Sequence, residues 1–136
     1  MEYKSPPVGN IVVAGLYGVK PELLSNNPLL EQYLTESLQE DNFTIVGSAS
    51  HPFEPQGFTT TKILEESGAE IHTYPEEEYR SIITLLYSCR GSTDARRSID
   101  LFIRKVNPQY SKILVDTQIP VNLLERFLET EKILKG

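Results

Sequence analysis

Short β-rich runs, each bounded by glycine, proline or asparagine, alternate along this chain with longer stretches whose apolar residues recur at helical spacing. Ile11-Val12-Val13-Ala14-Gly15-Leu16-Tyr17 predicts a strand buried on at least one face. After a break from Gly18 to Pro21, Asn26-Asn27 can cap a helix and Pro28 suits its first turn. Leu30, Tyr33, Leu34 and Leu38 then form one apolar stripe. Phe43 to Gly47 predicts a second strand, and two prolines and a glycine make His51 to Gly57 a loop. Phe58 to Glu65, rich in threonine, predicts a third strand and Ala69 to Tyr74 a fourth, with Ser67-Gly68 as the turn between them. Pro75 to Glu78 is an acidic turn. Arg80 to Cys89 predicts a fifth strand, with Ile83, Leu85 and Tyr87 on the face of Cys89. Ser92 or Thr93 caps a helix lined by Ile99, Phe102, Ile103 and Val106, and Asn107-Pro108 ends it. Tyr110 to Thr117 is a sixth strand, after which Pro120 opens a last helix with Leu123, Leu124, Phe127 and Leu128 on its apolar side.

The order β-α-β-β-β-β-α-β-α predicts an α+β fold, a two-layer α/β sandwich of a mainly antiparallel sheet with helices on one face. A parallel sheet needs helical crossovers, and residues 58–89 leave no room for one. The 136 residues suit a single domain over 9–136, led by an arm of residues 1–8 that contains Pro6-Pro7. The net charge of −6, without any Lys/Arg run, argues against a nucleic-acid partner and is compatible with a cationic substrate. One cysteine excludes an internal disulfide and cysteine-rich zinc modules, and the two histidines have no metal-ligand spacing, so no metal is expected. No apolar run approaches the ~20 residues of a membrane span, and the N-terminus has no hydrophobic signal region. The expectation is a cytoplasmic protein with no membrane partner.

Three residues carry the candidate chemistry. Ser67 follows two carboxylates, Glu65 and Glu66; read blandly, Ser-Gly is a turn. Read chemically, the Ser67 hydroxyl attacks the Glu66 carbonyl in an N-to-O acyl shift, and a constrained turn would help by releasing strain. β-Elimination then cuts the chain and leaves a dehydroalanine that hydrolyses to a pyruvoyl group. The proton movements need a neighbouring acid or base, and His72 is the local candidate, although a lone histidine on a strand is more often a satisfied structural residue. Alternation puts Glu70, His72 and Tyr74 on one polar strand face, which suggests a cleft. Cys89 reads either as a small buried hydrophobe or as a proton donor to a developing carbanion.

Ile71-His72-Thr73-Tyr74-Pro75-Glu76 resembles the Ile-His-Thr-Trp-Pro-Glu signature of the small prokaryotic, pyruvoyl-dependent S-adenosylmethionine decarboxylases. Glu66-Ser67 resembles the Glu-Ser bond that those proenzymes cleave in themselves. Gly9 to Tyr17, Thr44 to Phe53, and Cys89 followed by Gly91 are similar to further parts of the family pattern, which covers roughly residues 9 to 107. The resemblance implies a carboxy-lyase that supplies the aminopropyl donor for polyamine (spermidine) synthesis. It implies self-cleavage between residues 66 and 67, with Ser67 becoming the pyruvoyl cofactor that takes the substrate amine as a Schiff base. By the same resemblance Thr59 and His72 assist processing, Cys89 protonates the product, Phe53 and Tyr74 stack on the adenine, and Glu76 binds the ribose hydroxyls. Relatives of this length are homodimers, which suits a sheet edge in need of cover.

The chain departs from that pattern at several positions. Gly68 stands where the family has a histidine after the cleaved serine, Ile11 and Gly15 stand where the first strand has a histidine and an acid, and Tyr74 replaces tryptophan. The stretch from Glu76 to Cys89 is about two residues longer than usual, so a bulge is expected to restore the register of Cys89. Three readings stay open: decarboxylation of S-adenosylmethionine, the same machinery acting on arginine or ornithine, and an unprocessed relative that binds a nucleoside or a protein.

Overall fold

The computed structural model describes residues 8–65, 67–89 and 95–120, together with Leu128 and Glu131. Glu66, Gly91, Ser92, Thr93, most of the expected N-terminal arm and most of the expected last helix lie outside the described residues. Six strands form one sheet in the order β2-β3-β4-β5-β1-β6. They are β1 (Val8–Tyr17), β2 (Ile45–Pro52), β3 (Phe58–Leu64), β4 (Ser67–Tyr74), β5 (Ser81–Ser88) and β6 (Tyr110–Pro120), and every adjacent pair is antiparallel. Helices α1 (Pro21–Leu24), α2 (Asn27–Glu40) and α3 (Arg96–Val106) complete the described elements.

The period of each element decides which residues meet. Leu30, Leu34 and Leu38 of α2 and Ile99, Phe102 and Val106 of α3 are buried at helical spacing, as the sequence predicts. They join Val12, Ala14 and Leu16 of β1, Phe58 and Leu64 of β3, Ala69 and Ile71 of β4, and Ile82 and Leu86 of β5 in one core. The helices therefore cover one face of the sheet, which confirms the two-layer α+β expectation. The other face carries Ile11, Val13, Ile63, Glu70, His72, Ile83, Leu85 and Tyr87, all half-buried or exposed.

The caps are partly those expected. Asn26 Oδ1 accepts from the Leu29 N–H at the start of α2, and Asn107 ends α3 in the left-handed region at φ 53°. The start of α3 differs from expectation: Ala95 holds the cap position, and its N–H donates to Asn10 Oδ1 of β1 at 2.6 Å. A side chain from the sheet thus satisfies a helix donor that a local Ser or Thr was expected to take.

Three expectations about the strands are corrected. The chain reverses between Leu64 and Ser67, which lie opposite one another, so Ser67-Gly68 opens β4 instead of forming the turn. Ser67, at φ 158°, is a positive-φ residue at the start of β4. β4 and β5 pair without interruption from Ser67–Ser88 to Tyr74–Ser81, so no bulge adjusts Cys89; the extra residues sit between Pro75 and Arg80, where Tyr79 and Arg80 N–H groups bond the Glu76 carbonyl. β2 runs on to Pro52, because an edge strand tolerates a proline whose missing N–H would face outward.

Candidate active site

The site is built on β3, β4 and the loop that precedes β3. Thr59 lies opposite His72, and Thr59 Oγ1 is 2.9 Å from His72 Nδ1. On its other side His72 Nε2 is 2.8 Å from Glu70 Oε2, two residues back on the same strand face. A carboxylate can only accept, so Nε2 carries the proton, and in the neutral ring Nδ1 accepts from the threonine hydroxyl. The result is a hydroxyl–imidazole–carboxylate chain lying along the uncovered face.

A pocket of about 320 Å³ opens beside this chain, lined by Phe53, Gln56, Thr59, His72, Tyr74 and Glu76. Phe53 and Tyr74 are about half exposed, at 50% and 45%, which leaves their ring faces available to a flat ligand. Glu76 Oε2 is buried and has no hydrogen-bond partner. An unpaired buried carboxylate oxygen is an acceptor that water or a ligand hydroxyl or amine can satisfy. The loop is set by its backbone. Phe53 N–H donates to the Gly57 carbonyl at 2.8 Å, and Gly57 sits at φ 95°, a conformation that disfavours a side chain. Thr73 Oγ1 accepts from the Phe58 N–H at 2.9 Å, fixing the exit of the loop against β4. The sequence pattern thus brings together five of its candidates: Phe53, Thr59, His72, Tyr74 and Glu76.

Ser67 and Cys89 form a second group at the other end of β4. Ser67 pairs with Ser88, and Cys89 is the next residue, so the two Cα atoms lie roughly 6 Å apart by ladder spacing. Ser67 shares the parity of Ala69 and Ile71, toward the helices, whereas Cys89 shares the outer face with Tyr87. Tyr87 and Cys89 are i, i+2 neighbours on the outer face, and the neighbouring Cys89 thiol, with burial second, pushes the Tyr87 phenol above its ordinary pKa. Gly68 is extended, and a Cβ there would meet only the Lys62 carbonyl at 3.5 Å, so the outer face stays open beside Cys89. Within one chain His72 does not reach Ser67: five residues of strand separate them, about 16 Å, and their side chains take opposite faces. Glu66 lies outside the described residues.

Sequence reasoning missed Glu70 and Tyr87 as partners of His72 and Cys89. Both were legible as i, i+2 neighbours on one strand face. Nothing in the sequence marked Gln56.

A hydroxyl–imidazole–carboxylate chain beside an open small-molecule pocket on an antiparallel sheet defines an enzyme-type site. A family model described as S-adenosylmethionine decarboxylase matches residues 10–117, which include every one of these groups. The chain belongs to that family. The S-adenosylmethionine decarboxylase proenzyme of Archaeoglobus fulgidus is 31% identical over 102 residues, covering 75% of this chain and 89% of its own length. The Brevibacillus brevis proenzyme is 31% identical over 117 residues, 85% of each chain. The crystal structure of the adenosylmethionine decarboxylase from Aquifex aeolicus superposes with a TM-score of 0.71 at 25% identity, over 85% of this chain and 91% of that one.

Proposed function

We propose that this protein is a pyruvoyl-dependent decarboxylase of S-adenosylmethionine in spermidine synthesis, made active by cutting itself between Glu66 and Ser67 within a single domain of residues 9–136. The observation that carries this reading is the family match over residues 10–117, which takes in the hairpin, the pocket and Cys89 together. The relatives' shared description as proenzymes supports the self-processing.

The position of Ser67 fits the group it is proposed to become. It is the first residue of β4, and β4 is held on both sides, by β3 from Thr59–His72 to Leu64–Ser67 and by β5 from Ser67–Ser88 to Tyr74–Ser81. Cutting the bond before it opens a hairpin connection and leaves both ladders intact. When present, a pyruvoyl group on residue 67 supplies the electron sink for loss of carbon dioxide. The chain's other residues bind and move protons. Phe53 and Tyr74 sandwich a flat base and attract a sulfonium cation, Glu76 accepts from ligand hydroxyls, and Cys89 gives a proton to the product carbon. Thr59 and His72 serve the proton transfers of self-processing.

The separation of His72 from Ser67 within one chain supports the reading that a second copy takes part. Two chains stacked by their uncovered sheet faces, about a twofold axis, would set the pocket and His72 of one opposite the hairpin of the other. We therefore assign a homodimer, and we place it in the cytoplasm.

Denaturing mass analysis of the purified protein is expected to show fragments 1–66 and 67–136, the second pyruvoyl-capped, and Ser67→Ala is expected to leave the 15.4 kDa chain whole. A native chain that stays at 15.4 kDa after long incubation would sink the enzyme reading. Release of carbon dioxide from arginine or ornithine, and not from S-adenosylmethionine, would overturn the stacking roles of Phe53 and Tyr74.

A further inference from the structure

We infer that Glu70 is the positioning residue of the processing centre, fixing His72 in the Nε2–H tautomer so that Thr59 Oγ1 is the atom presented to the reacting group. The inference rests on the reading of His72 as a proton-transfer group in self-cleavage. It stands on two distances, 2.8 Å from Glu70 Oε2 to His72 Nε2 and 2.9 Å from His72 Nδ1 to Thr59 Oγ1. The three groups occupy one face of two paired strands, with Glu70 and His72 at i, i+2 and Thr59 directly across. Opposite His72 on the far side stands Ile83, and the other titratable groups around its pocket are Glu76 and Tyr74.

A neutral imidazole has one donor and one acceptor nitrogen, and the partner of one nitrogen decides the role of the other. With Nε2–H given to Glu70, Nδ1 must accept, and the Thr59 hydroxyl must donate to it. When Thr59 Oγ1 takes a proton from the reacting group, its own proton passes to Nδ1. One O–H bond forms as the other breaks, threonine stays neutral, and the imidazole becomes a cation. Glu70 opposes that charge through a hydrogen bond already in place. Without the carboxylate the ring can adopt the Nδ1–H form, which donates to Thr59 and leaves Oγ1 without a proton acceptor behind it.

Two measurements test this. In the Ser67→Ala protein, held uncut, the ring ¹⁵N shifts of His72 are expected to report a single Nε2–H tautomer, and adding Glu70→Gln is expected to shift them toward the other form. In the protein with Ser67 present, Glu70→Gln is expected to slow self-cleavage on the order of tenfold to a hundredfold, with Glu70→Asp recovering part of the rate. A tautomer unmoved by Glu70→Gln overturns the inference, as does cleavage at the native rate. If native protein never cuts, the proposed function falls, and the ring shifts alone still decide the role of Glu70.

Discussion

At Gly9 a methyl group would stand 2.6 Å from the Tyr87 ring, so the phenol lies where any other residue's Cβ would be. The colliding atoms are the far end of a movable side chain, and Gly9→Ala is therefore expected to swing Tyr87 aside and leave the sheet intact. Tyr87 is the neighbour of Cys89 on the outer face and the thiol acts on its phenol, so the consequence is expected at Cys89. The expected outcome is self-cleavage at the native rate with decarboxylation lowered about tenfold, a fraction of the ~10²–10⁴-fold that a well-placed proton donor contributes. Cleavage and carbon dioxide release, followed on the same sample, separate the two effects. A decarboxylation rate equal to the native one would mean that Tyr87 does not orient the thiol. At this scale the sequence named Cys89 readily, since it is the only thiol, but the place of the Tyr87 ring beside it depends on a glycine from another strand, and local pattern contains no such information.

Between elements, the junction of α2 with β2 and β3 is polar. Glu31 of α2 accepts from Ser50 Oγ and, at 2.7 Å, from Thr60 Oγ1, while Lys62 Nζ donates to Ser48 Oγ at 2.8 Å. The Ser50 bond, the Thr60 bond and the field of Lys62 hold the Glu31 carboxyl below its ordinary value, although desolvation works the other way. A lowered folded pKa stabilises above the unfolded value, about 4.3, and that contribution is lost as pH falls through the folded value. Glu31→Gln is expected to cost about 1–2 kcal/mol at neutral pH and to flatten the acid limb of the stability curve below about pH 4.3. Urea melts across that range measure both; an acid limb unchanged in the variant would show that Glu31 is not a source of it. Element types were legible here because apolar periods of 2 and 3.6 are strong signals. Their ends were not. Ser67-Gly68 has turn composition, but the burial of Ala69, Ile71 and Thr73 and the pairing of Leu64 with Ser67 set the reversal earlier, between those two paired residues.

Among the described residues, one sheet face is packed by the helices and the other is not, with Ile63 54% exposed and Ile11, Val13, Ile83 and Leu85 half-buried. An uncovered apolar sheet face of this kind marks a contact surface. Val13 lies on β1 opposite Leu85 of β5 and Val115 of β6, away from the pocket. Val13→Glu is expected to give a folded monomer by light scattering and circular dichroism, with self-cleavage abolished because the second copy's His72 is missing. A monomer that cuts itself at the native rate would show that each chain processes alone. The antiparallel two-layer fold was readable from the hairpin-connected centre of the sequence. The division of the candidate residues between two ends of β4 was not, because alternation fixes faces but says nothing of which groups the proposed second chain would bring together.

The strand order has a last consequence for the life of the protein after the cut. Residues 1–66 supply β1, β2 and β3, whereas β4, β5 and β6 come from the rest, and β1 is threaded between β5 and β6. The two pieces are interlaced, so neither owns a sheet of its own. Before cleavage, assembly is a first-order event within one chain; afterwards, a molecule that unravels must find its other half by diffusion, without the high local concentration that a covalent link provides. Refolding yield is expected to be independent of dilution for the Ser67→Ala chain and to fall with dilution for the cut protein. On the proposed cleavage, maturation is therefore expected to leave a molecule that refolds less readily than its precursor.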